Sequence, residues 1–227
     1  MEEVVFTPRL KLTLVTCAEQ GSQEFEWLHE LRSDEKASWW SIFGRSTSRE
    51  QTEKQISSFL PMPPSEGAEK TYRIVYAVHE LRSTTETSES DDASARFVGL
   101  ITVRSLELNS FPIPASMFPA SSAPSATTLN VELGYSFLPT SWGKGIATES
   151  VNAVFAACRR APSFWAPFER VYIRAFINSE NAGSLRVMAK TDMEARGVHV
   201  WVGEPVWLAG AWHERSELPV FGMFLKE

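Results

Sequence analysis

Between Tyr135 and Glu149 the chain reads Tyr-Ser-Phe-Leu-Pro-Thr-Ser-Trp-Gly-Lys-Gly-Ile-Ala-Thr-Glu, an apolar strand running through Pro139 into a glycine turn and then a helix. Gly143 and Gly145 let the backbone bend tightly and bring its amides to a ligand with no Cβ in the way. A helix beginning near Ile146 points its unpaired first-turn N–H groups and positive dipole end at the same place. The chemistry expected there is the binding of an anion, above all a pyrophosphate. Two common phosphate loops fail the test. A Walker loop needs Ser or Thr after Gly-Lys and another Gly upstream, where this chain has Gly145 and Leu138. The dinucleotide fingerprint needs Gly or Ala where Thr148 stands.

The turn does fit the pyrophosphate loop of the GNAT acyltransferases, Arg/Gln-x-x-Gly-x-Gly/Ala, as Trp142-Gly-Lys-Gly145-Ile-Ala147. With Trp in first place and Ala-Thr-Glu trailing, it resembles the Rim-type ribosomal-protein N-terminal acetyltransferases. A second motif follows the next strong strand: Asn178-Ser-Glu-Asn181-Ala-Gly-Ser184-Leu-Arg-Val187 resembles the Asn-x-x-Asn-x-x-Ser-x-x-Val signature of the same branch. The resemblance extends to the opening Thr7-Pro-Arg-Leu10 and is weak in two polar insertions.

The resemblance implies an α/β fold: a central twisted sheet, mixed but mostly antiparallel, with flanking helices. Two coenzyme-binding strands, ending near Leu138 and Phe176, splay apart and hold the pantetheine arm of acetyl-CoA in the gap. It assigns coenzyme contacts to Phe137, Leu138, Trp142, Gly143, Lys144, Gly145, Ile146, Ala147, Thr148, Asn178, Asn181 and Ser184. Backbone amides around Phe137 and Leu138 are the expected donors to the thioester carbonyl. Tyr135 is given no role, since a regular pleat turns it away from Glu132. Two departures stand out. Met188 occupies the place where many GNAT enzymes carry an acid-donating Tyr, and Ala189-Lys190-Thr191-Asp192-Met193 replaces the usual Glu-Lys-x-Gly-Phe.

Acetyl transfer to an amine needs a neutral nucleophile, a polarised carbonyl, close approach and a proton for the departing thiolate. Freeing a lysine-like amine at neutral pH costs roughly 4–5 kcal/mol, and an N-terminal α-amine only about 1–1.5 kcal/mol. Glu132, on the strand feeding the loop, is the candidate base, directly or through water. Ser184 is the candidate donor on the thiolate side. Trp39, Trp40 and Phe43, in an aromatic loop, are candidates for the acceptor wall, with at least one of them expected in the core. The acceptor is a primary amine, either a protein N-terminus or a small molecule such as a polyamine. The alternative is a coenzyme-A-binding regulatory or scaffold module whose catalysis is impaired.

The elements that position these residues are read from pattern. Arg9–Leu14 alternates as a strand, and Gln23–Arg32 and a segment from Thr47/Ser48 to about Leu60 read as helices, the second opened by capping boxes. Tyr72–His79 and Phe97–Val103 read as an antiparallel pair, Leu129–Leu138 as the strand into the turn, and Ala147–Arg160 as an amphipathic helix with Val151, Val154, Phe155 and Cys158 inward. Arg170–Phe176 reads as a strand, Asn181 as the N-cap of a short helix to about Lys190, and Gly197–Val202 and Val220–Leu225 as closing strands. The insertions, about 82–95 and 111–127, are expected to be flexible excursions from a single domain spanning 1–227.

Composition bounds the rest. The chain has 227 residues, 43% hydrophobic and 22% charged, with a formal net charge of −6. That balance argues against nucleic-acid binding by a basic surface. No apolar run reaches membrane-spanning length and the acidic start is unlike a secretory signal, so the expectation is a cytoplasmic or nuclear protein, monomeric or homodimeric. Cys17, on a predicted strand, and Cys158 read as small buried thiols. The four histidines show no metal-ligand spacing, and no metal is expected.

Overall fold

A computed structural model describes residues 1–61, 70–81, 95–106 and 113–227. Its backbone is an eight-stranded sheet in the order β1-β2-β3-β4-β5-β6-β8-β7. The strands are β1 (Val4–Phe6), β2 (Leu10–Leu14), β3 (Arg73–Leu81), β4 (Ala95–Ser105), β5 (Thr128–Phe137), β6 (Arg170–Phe176), β7 (Glu194–Leu208) and β8 (Ala211–Lys226). Every neighbouring pair is antiparallel except β5 and β6.

Helices cover both faces. Helix α1 (Gln23–Ser33) and helix α2 (Arg49–Ile56) lie on one. Ser22 and Ser48 cap them by accepting from the amides of Phe25 and Gln51, which answers two of the orphan donors that every helix start leaves. Phe25, Leu28 and Leu31 pack with Ile56, Val75, Ala77 and Leu100 beneath them. Helix α3 (Ile146–Arg159) covers the opposite face, burying Val151, Val154, Phe155 and Cys158 against Ile101, Val103, Val131 and Ile173. A fourth helix, α4 (Ala182–Met188), follows β6, with Asn181 accepting from the Ser184 amide at its N-cap.

Three expectations need correction. Cys17 is exposed, because β2 ends at Leu14 and the chain has turned outward by that point; Cys158 is buried, and desolvation pushes its thiol up to about 12. The closing hairpin is far longer than its apolar segments indicate, running from Glu194 to Lys226 around a tight turn at Ala209-Gly210, both with positive φ. The aromatic loop sends none of Trp39, Trp40 or Phe43 into the core: Trp39 and Phe43 are exposed and Trp40 is half-buried.

The expectation for 82–94 lies outside the described residues. From residue 113 onward the second insertion makes two 3-10 turns, Ala115–Met117 and Ala120–Ser122. Ser122 is buried and the Phe118 ring stands edge-on to Tyr172, so this stretch lies against β6. The departure from Gly-Phe after α4 has a local answer. The Thr191 hydroxyl donates to the Met188 carbonyl at 2.8 Å and accepts from the Met193 amide, and Met193 fills the core in place of the missing Phe.

Candidate active site

Strands β5 and β6 stay paired from Thr128/Arg170 only as far as Glu132/Arg174. Beyond that row β5 follows β4 up to Gly99/Phe137, while β6 follows β8 up to Phe176/Val220. A wedge-shaped gap therefore opens in the middle of the sheet, and the glycine turn stands at its mouth.

The edges of that gap are backbone. Leu138 donates its amide to the Val98 carbonyl at 2.8 Å, and Leu106 donates to Asn130 on the same ladder. An antiparallel ladder bonds alternate residues to its neighbour, so Glu132, Gly134 and Ser136 turn their backbone groups to β4. Leu133, Tyr135 and Phe137 turn theirs toward the gap. On the far side Ile177 and Ser179 donate to Pro219 and Glu217, which orients the backbone of Phe176 and Asn178 inward. A linear chain bearing secondary amides, as pantetheine does, is what two such edges complement. The Leu138 amide is spent on Val98 and cannot polarise a carbonyl; Phe137 keeps that orientation. The Phe137 carbonyl accepts from the Trp142 indole at 2.7 Å, so the ring opening the motif ties the turn to the end of β5.

The turn itself is built as its residues require. Gly143 and Gly145 hold φ of +73° and +77°, the left-handed region that a β-carbon disfavours. Gly145 is the N-cap of α3 and no side chain caps the helix, so the amides of Ile146, Ala147 and Thr148 face the mouth of the gap. Three further residues converge on the turn. Arg9 donates to the Lys144 carbonyl at 3.0 Å and pairs with Glu149, which also accepts from the Thr7 hydroxyl. Burial pushes the Glu149 carboxyl up, but the Thr7 hydroxyl and the Arg9 guanidinium outweigh it and hold the group below its ordinary value.

At the apex, Glu132 sits in a row of in-register residues that crosses six strands: Arg73, Arg104, Glu132, Arg174, Gly222 and Glu194. Arg104 Nη2 lies 3.2 Å from one carboxylate oxygen and Arg174 Nη2 lies 3.4 Å from the other. Glu132 and Arg174 are nearly buried, with side chains 11% and 8% exposed. A carboxylate has about four lone-pair sites, so two remain after both arginines are served. Glu132 faces the α1/α2 side, since its neighbours Val131 and Leu133 point into the α3 core. Tyr135, three residues on in a regular ladder, faces the other way, its hydroxyl 3.4 Å from the Ser184 carbonyl and pushed up to about 12 by burial. Glu132 and Ser184 thus lie on opposite faces of the sheet, either side of the gap.

The remaining expected residues are placed as follows. Asn178 accepts from the Glu180 amide and Asn181 from the Ser184 amide, both shaping the turn into α4 through their side-chain oxygens. Met188 is fully buried and presents nothing to the gap. The aromatic loop lies on the Glu132 face: Ser136 Oγ donates to the Ala37 carbonyl at 2.9 Å, and the Ala209 amide of the long hairpin donates to the Trp39 carbonyl. A depression of about 500 Å³ lined by Glu30, Asp34, Arg96, Leu138 and Thr140, among others, lies on the α1 side of the turn, outside the gap. Among the described residues no cluster of His, Cys, Asp or Glu could hold a metal ion, and no helix is long and apolar enough to cross a membrane.

A sheet that splits between its two parallel strands, over a glycine turn at an uncapped helix start, defines an acyl-coenzyme-A-binding fold. The chain belongs to the GNAT acetyltransferases: the model of the acetyltransferase (GNAT) domain family matches residues 11–194. No curated protein matches it in sequence. Among solved structures it is similar to a GNAT-family acetyltransferase from Bacillus anthracis, at TM-score 0.57 and 17% identity over 99% of both chains. It is also similar to the Salmonella typhimurium acetyl transferase that modifies the N-terminal serine of ribosomal protein L7/L12, at TM-score 0.57 and 16% identity over 97% of this chain and 98% of that one. A third is spermidine N-acetyltransferase from Vibrio cholerae in complex with CoA and spermine, at 0.53 and 13% over 94% and 95%. At these identities the likeness concerns the fold.

Proposed function

We propose that this protein is an N-acetyltransferase that moves the acetyl group of acetyl-CoA directly to a primary amine, on a protein N-terminus or a small molecule, inside the cell. The observation that carries the reading is the gap beyond Glu132/Arg174, edged by backbone amides and opening onto the glycine turn. Acetyl-CoA is the donor substrate. Its pyrophosphate would lie over Gly143–Thr148 and its pantetheine arm between the edges of β5 and β6.

The two faces divide the proton traffic. The acceptor approaches from the Glu132 face, beneath Trp39, Trp40 and Phe43. Its nitrogen forms a bond to the acetyl carbon, the carbon–sulfur bond breaks, and the electron pair leaves with sulfur. Glu132 accepts the amine proton, directly or through one water on a lone pair that its arginines leave open. Ser184, on the opposite face, hydrogen-bonds the departing thiolate and passes it a proton that water replaces on the serine oxygen. No covalent enzyme intermediate is required, and Cys158, buried on α3, is in no position to form one.

The second reading, a coenzyme-A-binding module without turnover, is favoured by one observation: Met188 is buried where many family members carry the acid-donating Tyr. A thiol-release assay separates the two. Pure protein, acetyl-CoA and a panel of peptides with free N-termini, polyamines and amine drugs are expected to liberate free coenzyme A with at least one acceptor class, at a rate well above the amine-free control. Tight coenzyme A binding with no release above control for any amine would leave the binding module as the function.

A further inference from the structure

The N-terminal turn between β1 and β2 reaches the glycine loop across more than a hundred residues of sequence, and it does so through one guanidinium. Arg9 is anchored from behind: its carbonyl accepts from the Leu81 amide, and the buried Leu10 beside it donates its own amide to the Thr7 hydroxyl. From that base Nε and Nη2 donate to Glu149 Oε2 at 2.8 and 2.5 Å, and Nη1 donates to the Lys144 carbonyl at 3.0 Å. A guanidinium carries five N–H groups in a fixed fork, so these contacts take three and leave two. The side chain is 52% exposed, and Nη2 is the atom nearest the space a Cβ on Gly145 would fill, at 3.6 Å. The open edge of the fork therefore borders the anion seat, beside the helix start.

The sequence around the seat makes this useful. Trp142 stands in the place where the family loop carries Arg or Gln, and its side chain's one N–H is committed to the Phe137 carbonyl. Glu149, in the first turn of α3, would repel a phosphate if it stood alone, and Arg9 neutralises it. Lys144 is the other cation of the turn, and its ammonium stands 4.0 Å from Glu80.

We propose that Arg9 is a coenzyme A phosphate-binding residue, supplying from the N-terminal turn the guanidinium that the first position of the glycine loop lacks. The inference rests on the coenzyme site proposed above. A forked donor already fixed on two sides gives a phosphate oxygen charge-assisted hydrogen bonds without ordering a free side chain.

The test compares coenzyme A with pantetheine, which keeps the arm and lacks every phosphate. The ratio of their affinities, measured by calorimetry, isolates the phosphate contribution from damage to the gap. In Arg9→Gln that ratio is expected to fall about ten- to a hundredfold, the size of one charge-assisted contact. The double variant Arg9→Gln/Glu149→Gln removes the repulsion without restoring the guanidinium, and its ratio is expected to stay low. Arg9→Lys keeps a point charge but cannot bridge Glu149, Lys144 and a phosphate together, and an intermediate ratio is expected. It carries the test if the glutamine variants do not fold. A wild-type ratio in folded Arg9→Gln or Arg9→Lys would overturn the proposal, as would full recovery in the double variant, which would leave Arg9 only the neutralising of Glu149. Wild-type protein with no preference for coenzyme A over pantetheine would instead remove the phosphate seat itself, and Arg9's part with it.

Discussion

Replacing Gly145 with valine is expected to weaken coenzyme A binding by at least about a hundredfold while leaving the protein folded. The backbone at Gly145 has φ of +77°, which a β-branched residue adopts only at a cost of about 1–3 kcal/mol. Space is not the obstacle, since only the end of the Arg9 side chain comes within 4 Å of the added carbon. At 3.6 Å that contact is ordinary van der Waals spacing, so the cost is backbone strain, relieved locally by a changed turn. That change rotates the amides of Ile146, Ala147 and Thr148 away from a common point and puts a branched side chain where the pyrophosphate would lie. Calorimetry with coenzyme A, with circular dichroism to establish folding, checks it. Unchanged affinity in a folded Gly145→Val protein would mean that the turn does not bind the coenzyme.

The second large effect is expected at Glu132, and it has two parts. Glu132→Gln removes the carboxylate shared by Arg104 and the nearly buried Arg174. Breaking such a pair from one side costs about 3–5 kcal/mol, so a lowered melting temperature is expected whatever the catalytic role. The catalytic part is read in the pH profile. A base that frees the amine matters most where the amine is still protonated, so the rate deficit is expected to be about ten- to a thousandfold at low pH. It should shrink as pH rises toward the acceptor's own pKa, near 8 for an α-amine or about 10.4 for a lysine-like one. Ser184→Ala is expected to slow the reaction more evenly, because thiolate departure follows amine attack and the serine does not titrate in that range. Acetylation rates for each folded variant across pH, with coenzyme affinity determined separately, make the comparison. A Glu132→Gln enzyme as fast as wild type at every pH would reduce Glu132 to holding three strands together at the apex.

How much of this is legible in the sequence depends on where the signal is local. Arg170–Phe176 is readable to the residue, because its β-branched and aromatic run lies between Pro167 and Glu169 on one side and the turn opened by Asn178 on the other. The glycine turn and the Asn181 cap are equally local, since positive φ and side-chain capping are demands on single positions. The long hairpin is not legible: the polar run His213–Glu217 carries no apolar alternation and pairs only by register with the strand opposite, while Gly203, Glu204 and Pro205 fall in an irregularity of the ladder between Val202 and Val206. The exposure of Trp39 and Phe43 is a tertiary fact, since the backbone they ride on is held by β5 and the hairpin tip rather than by their own burial.

At the site, Glu132 can be picked out on its strand, but its arginines cannot. Arg104 and Arg174 become its partners only through the register of three strands, and one residue of slip would turn them to the opposite face. Arg9 and Thr7 are in the same position, visible in the opening segment and joined to Glu149 only by the fold. The spent amide of Leu138 is likewise a matter of which ladder parity faces β4, which no residue type announces.

The most direct test is a crystal structure of the protein with coenzyme A. Density for the pantetheine arm is expected between β5 and β6, beyond Glu132 and Arg174, with the pyrophosphate on the amides from Gly143 to Thr148 and the sulfur between the Glu132 and Ser184 faces. Coenzyme bound elsewhere, such as in the depression beside Glu30 and Thr140, with β5 and β6 unoccupied, would contradict the account at its centre.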